Sequence, residues 1–122
     1  MISQAVVLIV DSDLGFVIWL GVSLAATGYA TLPAGTSAAA HQLVDELRVD
    51  PDLVIANLDL AGTVELVEAL RRVNLALKVI AIENGTPITR PIAVDAVHSR
   101  SDANWLVTVE RVLELGNAND AS

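Results

Sequence analysis

Short apolar segments alternate with longer segments of helical periodicity along most of this chain. The apolar segments are too short for helices, and they lack the polar–apolar alternation of a half-exposed strand. They therefore predict strands that are covered on both faces. Three such strands are strongly indicated, and two more are weaker. The strong strands cover residues 5–10, 53–58 and 78–82, and the weaker ones cover residues 29–32 and 93–97.

Helical patterns fill the intervals between these strands. A side chain that accepts a hydrogen bond from the first helical turn marks where a helix begins, and a glycine often marks where it ends. The cap candidates are Asp13, Thr36 or Ser37, and Asp102, and the stop candidates are Gly28 and Gly116. We predict helices over residues 14–27, from the cap at 36 or 37 to 48, over 63–73, and from the cap at 102 to 116.

Strands that alternate with helices predict an α/β fold, a doubly wound parallel sheet of five strands with helices on both faces. The fourth crossover is an exception. Only nine residues, 84–92, separate the fourth strand from the predicted fifth, and they include Pro87 and Pro91. A typical helix needs about 11 residues before its loops are counted. We therefore predict a shortened fourth crossover that contains no full helix.

Composition limits the function. A chain of 122 residues is one domain by length, which we place at residues 1–116, with 117–122 as a polar tail or the start of a linker. Hydrophobic residues make up 53% and aromatic residues 3%, so the core must be aliphatic. The absence of cysteine excludes disulfides and thiolate zinc sites. A net charge of −8 argues against nucleic-acid binding, which needs a basic face.

One uncharged stretch, residues 14–30, resembles a membrane span in composition. It is at the short end of the length that a bilayer requires, and no Lys or Arg flanks it. The N-terminus has no basic region in front of its apolar run, which is unlike a signal peptide. We therefore expect no membrane span and a cytoplasmic location.

Three motifs together resemble the receiver domain of two-component response regulators, the CheY-like domain with a flavodoxin-like fold found in many bacterial signalling proteins. The resemblance covers roughly residues 5–115. It rests on VVLIVDSD at 6–13, TGYAT at 27–31 and PDLVIANLDLAG at 51–62. The resemblance implies a domain that signals and is not an enzyme.

In that family, an acidic pair after the first strand binds Mg²⁺, and an aspartate after the third strand accepts a phosphoryl group. A Ser or Thr follows the fourth strand, and a Lys, usually before a cis-proline, extends from the fifth. By the resemblance, this chain retains only the first acid. Asp11 and Ser12 occupy the positions of the acidic pair, with Asp13 next to them, and Asn57 occupies that of the phosphoacceptor. Glu83 stands in place of the Ser or Thr, and His98 stands in place of the Lys.

These replacements predict a degenerate phosphorylation pocket. A carboxamide is a far weaker nucleophile than a carboxylate, so Asn57 is a poor acceptor. Asp11, Ser12 and Asn57 carry one formal charge, whereas Mg²⁺ prefers several anionic oxygens. We therefore expect no cofactor, with Mg²⁺ weak or absent and Asp11 and Asp13 as weak candidates for binding it. Asp59 is either a substitute acceptor or a solvated loop residue.

His98 and Glu83 have three interpretations. They can form an ion pair that replaces the Lys–Asp contact of the family, which is the interpretation we favour. Alternatively, they join Asp11 and Asp13 in a divalent metal site or form an acid–base pair. No set of nucleophile, base and orienting residue is evident, so we do not predict an enzyme.

The first helix has an unusual outer face. If Phe16, Leu20 and Leu24 face the sheet, Ile18 and Val22 face outward with Trp19 beside them, and no charge occurs between Asp13 and His41. Exposed apolar patches of this kind mark interfaces. We predict that a protein partner or a second copy binds here. Trp105 in the last helix is a further interface candidate, because aromatic residues often anchor interfaces.

The sequence as a whole predicts a pseudo-receiver, a receiver-like domain that lacks the phosphoacceptor aspartate and signals through phosphorylation-independent protein contacts. One alternative is a divergent but working receiver that binds Mg²⁺ and accepts phosphate on Asp59 or Asp11. A second alternative is a small ligand- or metal-binding α/β protein.

Overall fold

The structure, a computed structural model, describes the backbone of residues 4–83 and 92–121 and the side chains as far as residue 114. Its centre is one parallel sheet of five strands in the order β2-β1-β3-β4-β5. This confirms the predicted fold class. The strands are β1 (Val6–Val10), β2 (Ala30–Ala34), β3 (Leu53–Ala56), β4 (Lys78–Glu83) and β5 (Ala96–Ser99).

Four helices are present in the described part of the chain. They are α1 (Leu14–Ala25), α2 (Ser37–Leu47), α3 (Thr63–Val73) and α4 (Trp105–Ala121). Two predicted caps are confirmed: Asp13 Oδ1 accepts from Phe16 N at 3.1 Å, and Thr36 Oγ1 accepts from Ala39 N at 3.0 Å.

Two hydrophobic layers sandwich the sheet, and the alternation of side chains along each strand assigns residues to them. On one face, Val7 and Ile9 of β1 pack with α1 and α4. On the other face, Leu8 and Val10 pack with α2 and α3. The central strands β1, β3 and β4 are buried on both faces, which explains their continuous apolar runs.

Several predicted boundaries differ from the observed ones. α1 ends at Ala25 rather than residue 27, and Gly28 lies in the following turn with a positive φ of 102°. α4 begins at Trp105, after a turn in which Asp102 Oδ1 accepts from Asn104 N, so Asp102 is not its cap. The prediction that Gly116 ends this helix is wrong, because α4 continues to Ala121. Whether 117–122 belong to the domain or to a linker stays a prediction.

The fifth strand begins three residues later and ends two residues later than predicted. β5 comprises Ala96–Ser99, whereas the sequence pattern indicated residues 93–97. The predicted lack of a helix in the fourth crossover falls mostly on residues 84–91, which are outside the described residues; residues 92–95 are not helical. Among the described residues, no helix combines the length and the apolar character that crossing a membrane requires.

Candidate functional site

Two polar side chains are buried where the neighbouring strands β1 and β3 end. Asp11 is fully buried, and Asn57 is 4% exposed. The N–H of Asn57 donates to the carbonyl of Val10 at 2.9 Å, which extends the pairing of the two strands. By strand alternation, both side chains lie on the face that carries α1 and α4. The chain reverses its direction of progress across the sheet between these strands, which is where α/β folds place their sites.

Asn57 uses both ends of its amide. Its Nδ2 donates to Asp11 Oδ1 at 3.3 Å, and its Oδ1 accepts from Asp59 N at 3.0 Å. If the amide of Asn57 were flipped, its oxygen would face the carboxylate of Asp11 and its NH₂ would face the N–H of Asp59. Both contacts would be repulsive, so these two partners determine the orientation of the amide. An ionised carboxylate at this position cannot donate. Asn57 therefore provides a hydrogen bond to Asp11 that an aspartate would not.

Arg100 completes the pocket, and the sequence analysis missed it. Its Nε donates to Asp11 Oδ2 at 3.0 Å, and its Nη2 donates to Asp11 Oδ1 at 3.1 Å. Nη1 lies 3.7 Å from Asp13 Oδ2. The Arg100 side chain is 28% exposed, while that of Asp11 is fully buried. A fork of two parallel N–H donors is the strongest geometry in which arginine binds a carboxylate.

The reason for missing Arg100 is the position of β5. Placing the fifth strand at residues 93–97 makes His98 the first residue beyond it, whereas the observed strand ends at Ser99 and Arg100 follows. The N–H of Arg100 donates to the carbonyl of Glu83 at 2.9 Å, which continues the pairing with β4. The sequence did contain a signal for Arg100, because it is the positively charged residue nearest to the predicted end of the fifth strand.

His98 does not pair with Glu83, so that prediction is wrong. His98 is opposite Ile82 in the register of β4 and β5, and Ile82 belongs to the layer of α1 and α4. Glu83 follows Ile82 and therefore points to the other face. The Nδ1 of His98 lies 2.9 Å from Thr108 Oγ1, and its Nε2 lies 3.6 Å from Asp102 Oδ2.

The other predicted pocket residues are not buried with Asp11 and Asn57. Ser12, Asp59 and Glu83 are exposed, and Asp13 is 46% exposed at its side chain. Within the described residues, no group of three His, Asp or Glu side chains is arranged to hold a metal ion. The hypothesis of a divalent site formed by Asp11, Asp13, Glu83 and His98 therefore has no support in the geometry.

A row of apolar side chains faces solvent on α1. Leu14, Ile18, Trp19 and Val22 are 57%, 59%, 46% and 66% exposed, and we call these four residues the α1 outer face. The predicted exposure of Ile18, Trp19 and Val22 is confirmed. The prediction that Trp105 anchors an interface is wrong, because its side chain is 1% exposed and lies in the core.

Phe16 connects the pocket to the α1 outer face. Its ring centroid lies 6.0 Å from the guanidinium carbon of Arg100 and 6.2 Å from the ring of Trp19. The ring of Trp105 packs on the same phenyl group at 5.4 Å. Both tryptophans therefore lie within one side chain of the pocket, and their fluorescence is suited to reporting changes there.

Comparisons with solved structures confirm the resemblance at the level of the fold. A CheY-like response regulator receiver domain from Methanospirillum hungatei superposes with a TM-score of 0.81 at 17% identity, covering 96% of this chain and 99% of that one. CheY4 of Vibrio cholerae gives a TM-score of 0.74 at 18% identity, covering 90% and 99%.

A third similar structure is the N-terminal domain of a response regulator/sensory box/GGDEF three-domain protein from Carboxydothermus hydrogenoformans. It gives a TM-score of 0.76 at 21% identity and covers 93% of this chain and 98% of that domain. No protein-family model and no curated protein sequence matches this chain. At these identities the likeness establishes the CheY-like fold, and the function has to be argued from the residues.

Proposed function

We propose that this chain is a receiver-like signalling domain that acts through protein–protein contacts and takes up no phosphate. The observation that carries the proposal is the network of Asp11, Asn57 and Arg100. At the position where the resemblance places a phosphoacceptor, a carboxamide is bound by hydrogen bonds on both sides. The only fully buried carboxylate among the described residues, Asp11, has both oxygens bound by Arg100.

Phosphoryl transfer needs a carboxylate nucleophile in line with the donor and a cation that screens the phosphate charge. Asp11 is fully enclosed, and attack by its oxygens would require the bonds to Arg100 to break. Asp59 is exposed, so water solvates its carboxylate. Neither carboxylate has the environment of an activated nucleophile, which disfavours the alternative of a working phospho-receiver.

The α1 outer face supports the second part of the proposal. Four large apolar side chains are exposed on adjacent turns of α1, and no charged residue interrupts them. Contiguous exposed apolar patches mark contact surfaces in water. We propose that a protein partner or a second copy of this chain covers this face.

Intact-mass measurement after incubation with acetyl phosphate and Mg²⁺ tests the first part. The wild type and the variants Asn57→Asp and Asp59→Asn are compared under the same conditions. We expect the wild type to keep its unmodified mass, because it presents no activated carboxylate.

A phosphoryl adduct on the wild type would overturn the proposal. If Asp59→Asn abolished that adduct, Asp59 would be the acceptor; if the adduct persisted, Asp11 would be the next residue to map. An adduct on Asn57→Asp alone would show that the rest of the pocket is competent and that only the nucleophile is missing.

A further inference from the structure

The guanidinium of Arg100 lies where a cation would meet the two carboxylates that follow β1. It contacts Asp11 with two nitrogens at 2.9–3.1 Å and approaches Asp13 with the third at 3.7 Å. A buried carboxylate requires a partner of opposite charge, because its desolvation is otherwise too costly. Arg100 supplies that partner from within the chain.

The pocket does not fit the Mg²⁺ ion that the resemblance implies. Mg²⁺ requires oxygen ligands at about 2.0–2.1 Å in octahedral geometry. Both oxygens of Asp11 are occupied by N–H donors, and Asn57 directs its NH₂ rather than its oxygen at that carboxylate. A Mg²⁺ ion bound to Asp11 would also be repelled by the positive charge of the Arg100 guanidinium.

We propose that Arg100 is a built-in counter-cation that substitutes for the metal ion, so that the pocket keeps one arrangement whether or not Mg²⁺ is present. The inference rests on the proposed function, because it explains how a pocket without phosphate is held closed. Arg100 extends from the end of β5 and packs near Phe16 of α1, so the pocket, β5 and α1 are held together by one side chain.

The consequence is that removing Arg100 uncovers a cation site. In Arg100→Gln, the carboxylates of Asp11 and Asp13 lose their counter-charge, and Mg²⁺ becomes the available replacement. We expect Mg²⁺ to raise the melting temperature of this variant by about 5 °C at a concentration of about ten times the dissociation constant. Wild type should shift by less than about 1 °C under the same conditions.

Thermal unfolding and tryptophan fluorescence during Mg²⁺ titration provide the measurement, with KCl at equal ionic strength to correct for screening. Arg111→Gln is the matched control, because it removes the same charge from an exposed position on α4. The double variant Arg100→Gln with Asp11→Asn should lose the Mg²⁺ response. Adding Asn57→Asp to Arg100→Gln should tighten Mg²⁺ binding at least about tenfold, because it supplies another anionic oxygen ligand.

If Arg100→Gln does not fold, Arg100→Lys is titrated in its place. A lysine keeps the charge but loses the fork, so Mg²⁺ competes for the carboxylates more effectively than in wild type. We expect its fluorescence to respond to Mg²⁺ where that of wild type does not.

Two outcomes would overturn the inference. One is a wild type that responds to Mg²⁺ as strongly as the Arg100 variants, and the other is Arg100 variants that respond no more than wild type. Either would leave the proposed function standing if the wild-type mass stays unchanged with acetyl phosphate. A phosphorylated wild type would instead overturn the proposed function itself, so the two failures are distinguishable.

Discussion

The pocket and the α1 outer face adjoin one another, but they satisfy their side chains in opposite ways. In the pocket, Asp11, Asn57 and Arg100 bind one another, and their charges and polar groups are largely paired inside the chain. On α1, Ile18 and Val22 are more than half exposed, so most of their apolar surface faces water. The pocket therefore satisfies its polar groups within the chain, whereas the adjacent α1 outer face leaves apolar surface exposed to water.

The largest expected effect follows from breaking the pocket. Arg100→Ala would leave the carboxylate of Asp11 buried without a counter-charge, and we expect a loss of about 3–5 kcal/mol in the free energy of unfolding. Urea denaturation measures it. Arg72→Ala, at an exposed position of α3, is the control and should change stability by no more than about 0.5 kcal/mol. A loss below about 1 kcal/mol for Arg100→Ala would mean that the pair contributes little.

The next largest effect is expected on self-association through the α1 outer face. If the α1 outer face is a contact between copies, the wild type should associate with increasing concentration, and Ile18→Glu should weaken that association at least about tenfold. Sedimentation velocity over a range of concentrations measures it. Leu75→Glu is the matched control, because Leu75 is 91% exposed and lies outside α1. Equal association of Ile18→Glu and wild type would exclude this face as the contact.

A smaller effect on stability, which depends on pH, is expected at Asn57. Asn57→Asp places a carboxylate where the amide is 3.3 Å from Asp11 Oδ1, and we expect a loss of about 1–2 kcal/mol at neutral pH, moderated by the nearby Arg100. Like-charge repulsion raises the pKa of the introduced carboxyl, so the folded state binds a proton more tightly than the unfolded state. The deficit should therefore shrink as the pH falls, because protonation restores a donor.

Melting temperatures at pH 7 and pH 5 test this, with Asn57→Ala as the control, whose deficit should not depend on pH. A deficit of Asn57→Asp that is the same at both pH values would show that the introduced charge is not repelled in the pocket.

The smallest effect on stability is expected at Tyr29, whose side chain is partly exposed and so is intermediate between the pocket and the α1 outer face. Burial, followed by the charges of Glu110 and Glu114, raises the pKa of its phenol above 10.0. The folded state therefore holds this proton more tightly than the unfolded state, and the contribution to stability is present at neutral pH and lost as the pH rises above 10. Absorbance of this single tyrosine during alkaline titration measures the shift.

Guanidine denaturation at alkaline pH completes the test. Tyr29→Phe should show a weaker loss of stability above pH 10 than wild type. If the Tyr29 phenol titrated at the ordinary value for tyrosine, the raised pKa would be contradicted.

Much of the pocket was predictable because it depends on strand ends. Asp11 and Asn57 follow two of the three strongly predicted strands, and parallel strands bring their carboxyl ends to the same edge of the sheet. Arg100 was not predictable in the same way. The weak apolar character of residues 93–99 leaves the limits of the fifth strand undefined, and a shift of two residues exchanges His98 for Arg100.

Trp19 and Trp105 illustrate the same limit in helices. Both were placed on interfaces from their sequence, yet Trp19 is 46% exposed and Trp105 is 1% exposed. α1 has an apolar residue at nearly every position, so periodicity separated its faces only once Phe16, Leu20 and Leu24 were assumed to face the sheet. In α4, Trp105 shares its face with Val109 and Val112, and this inward pattern outweighs the tendency of tryptophan to anchor interfaces.

The sequence by itself determined the α/β order of elements and the five-stranded parallel sheet. These follow from local periodicity, which neighbouring residues carry. Only the tertiary structure decided which cation meets Asp11, which face His98 occupies and which tryptophan is buried. Those outcomes depend on strand register and on contacts between residues as far apart as Asp11 and Arg100, and a register shift too small to alter the local pattern changes them.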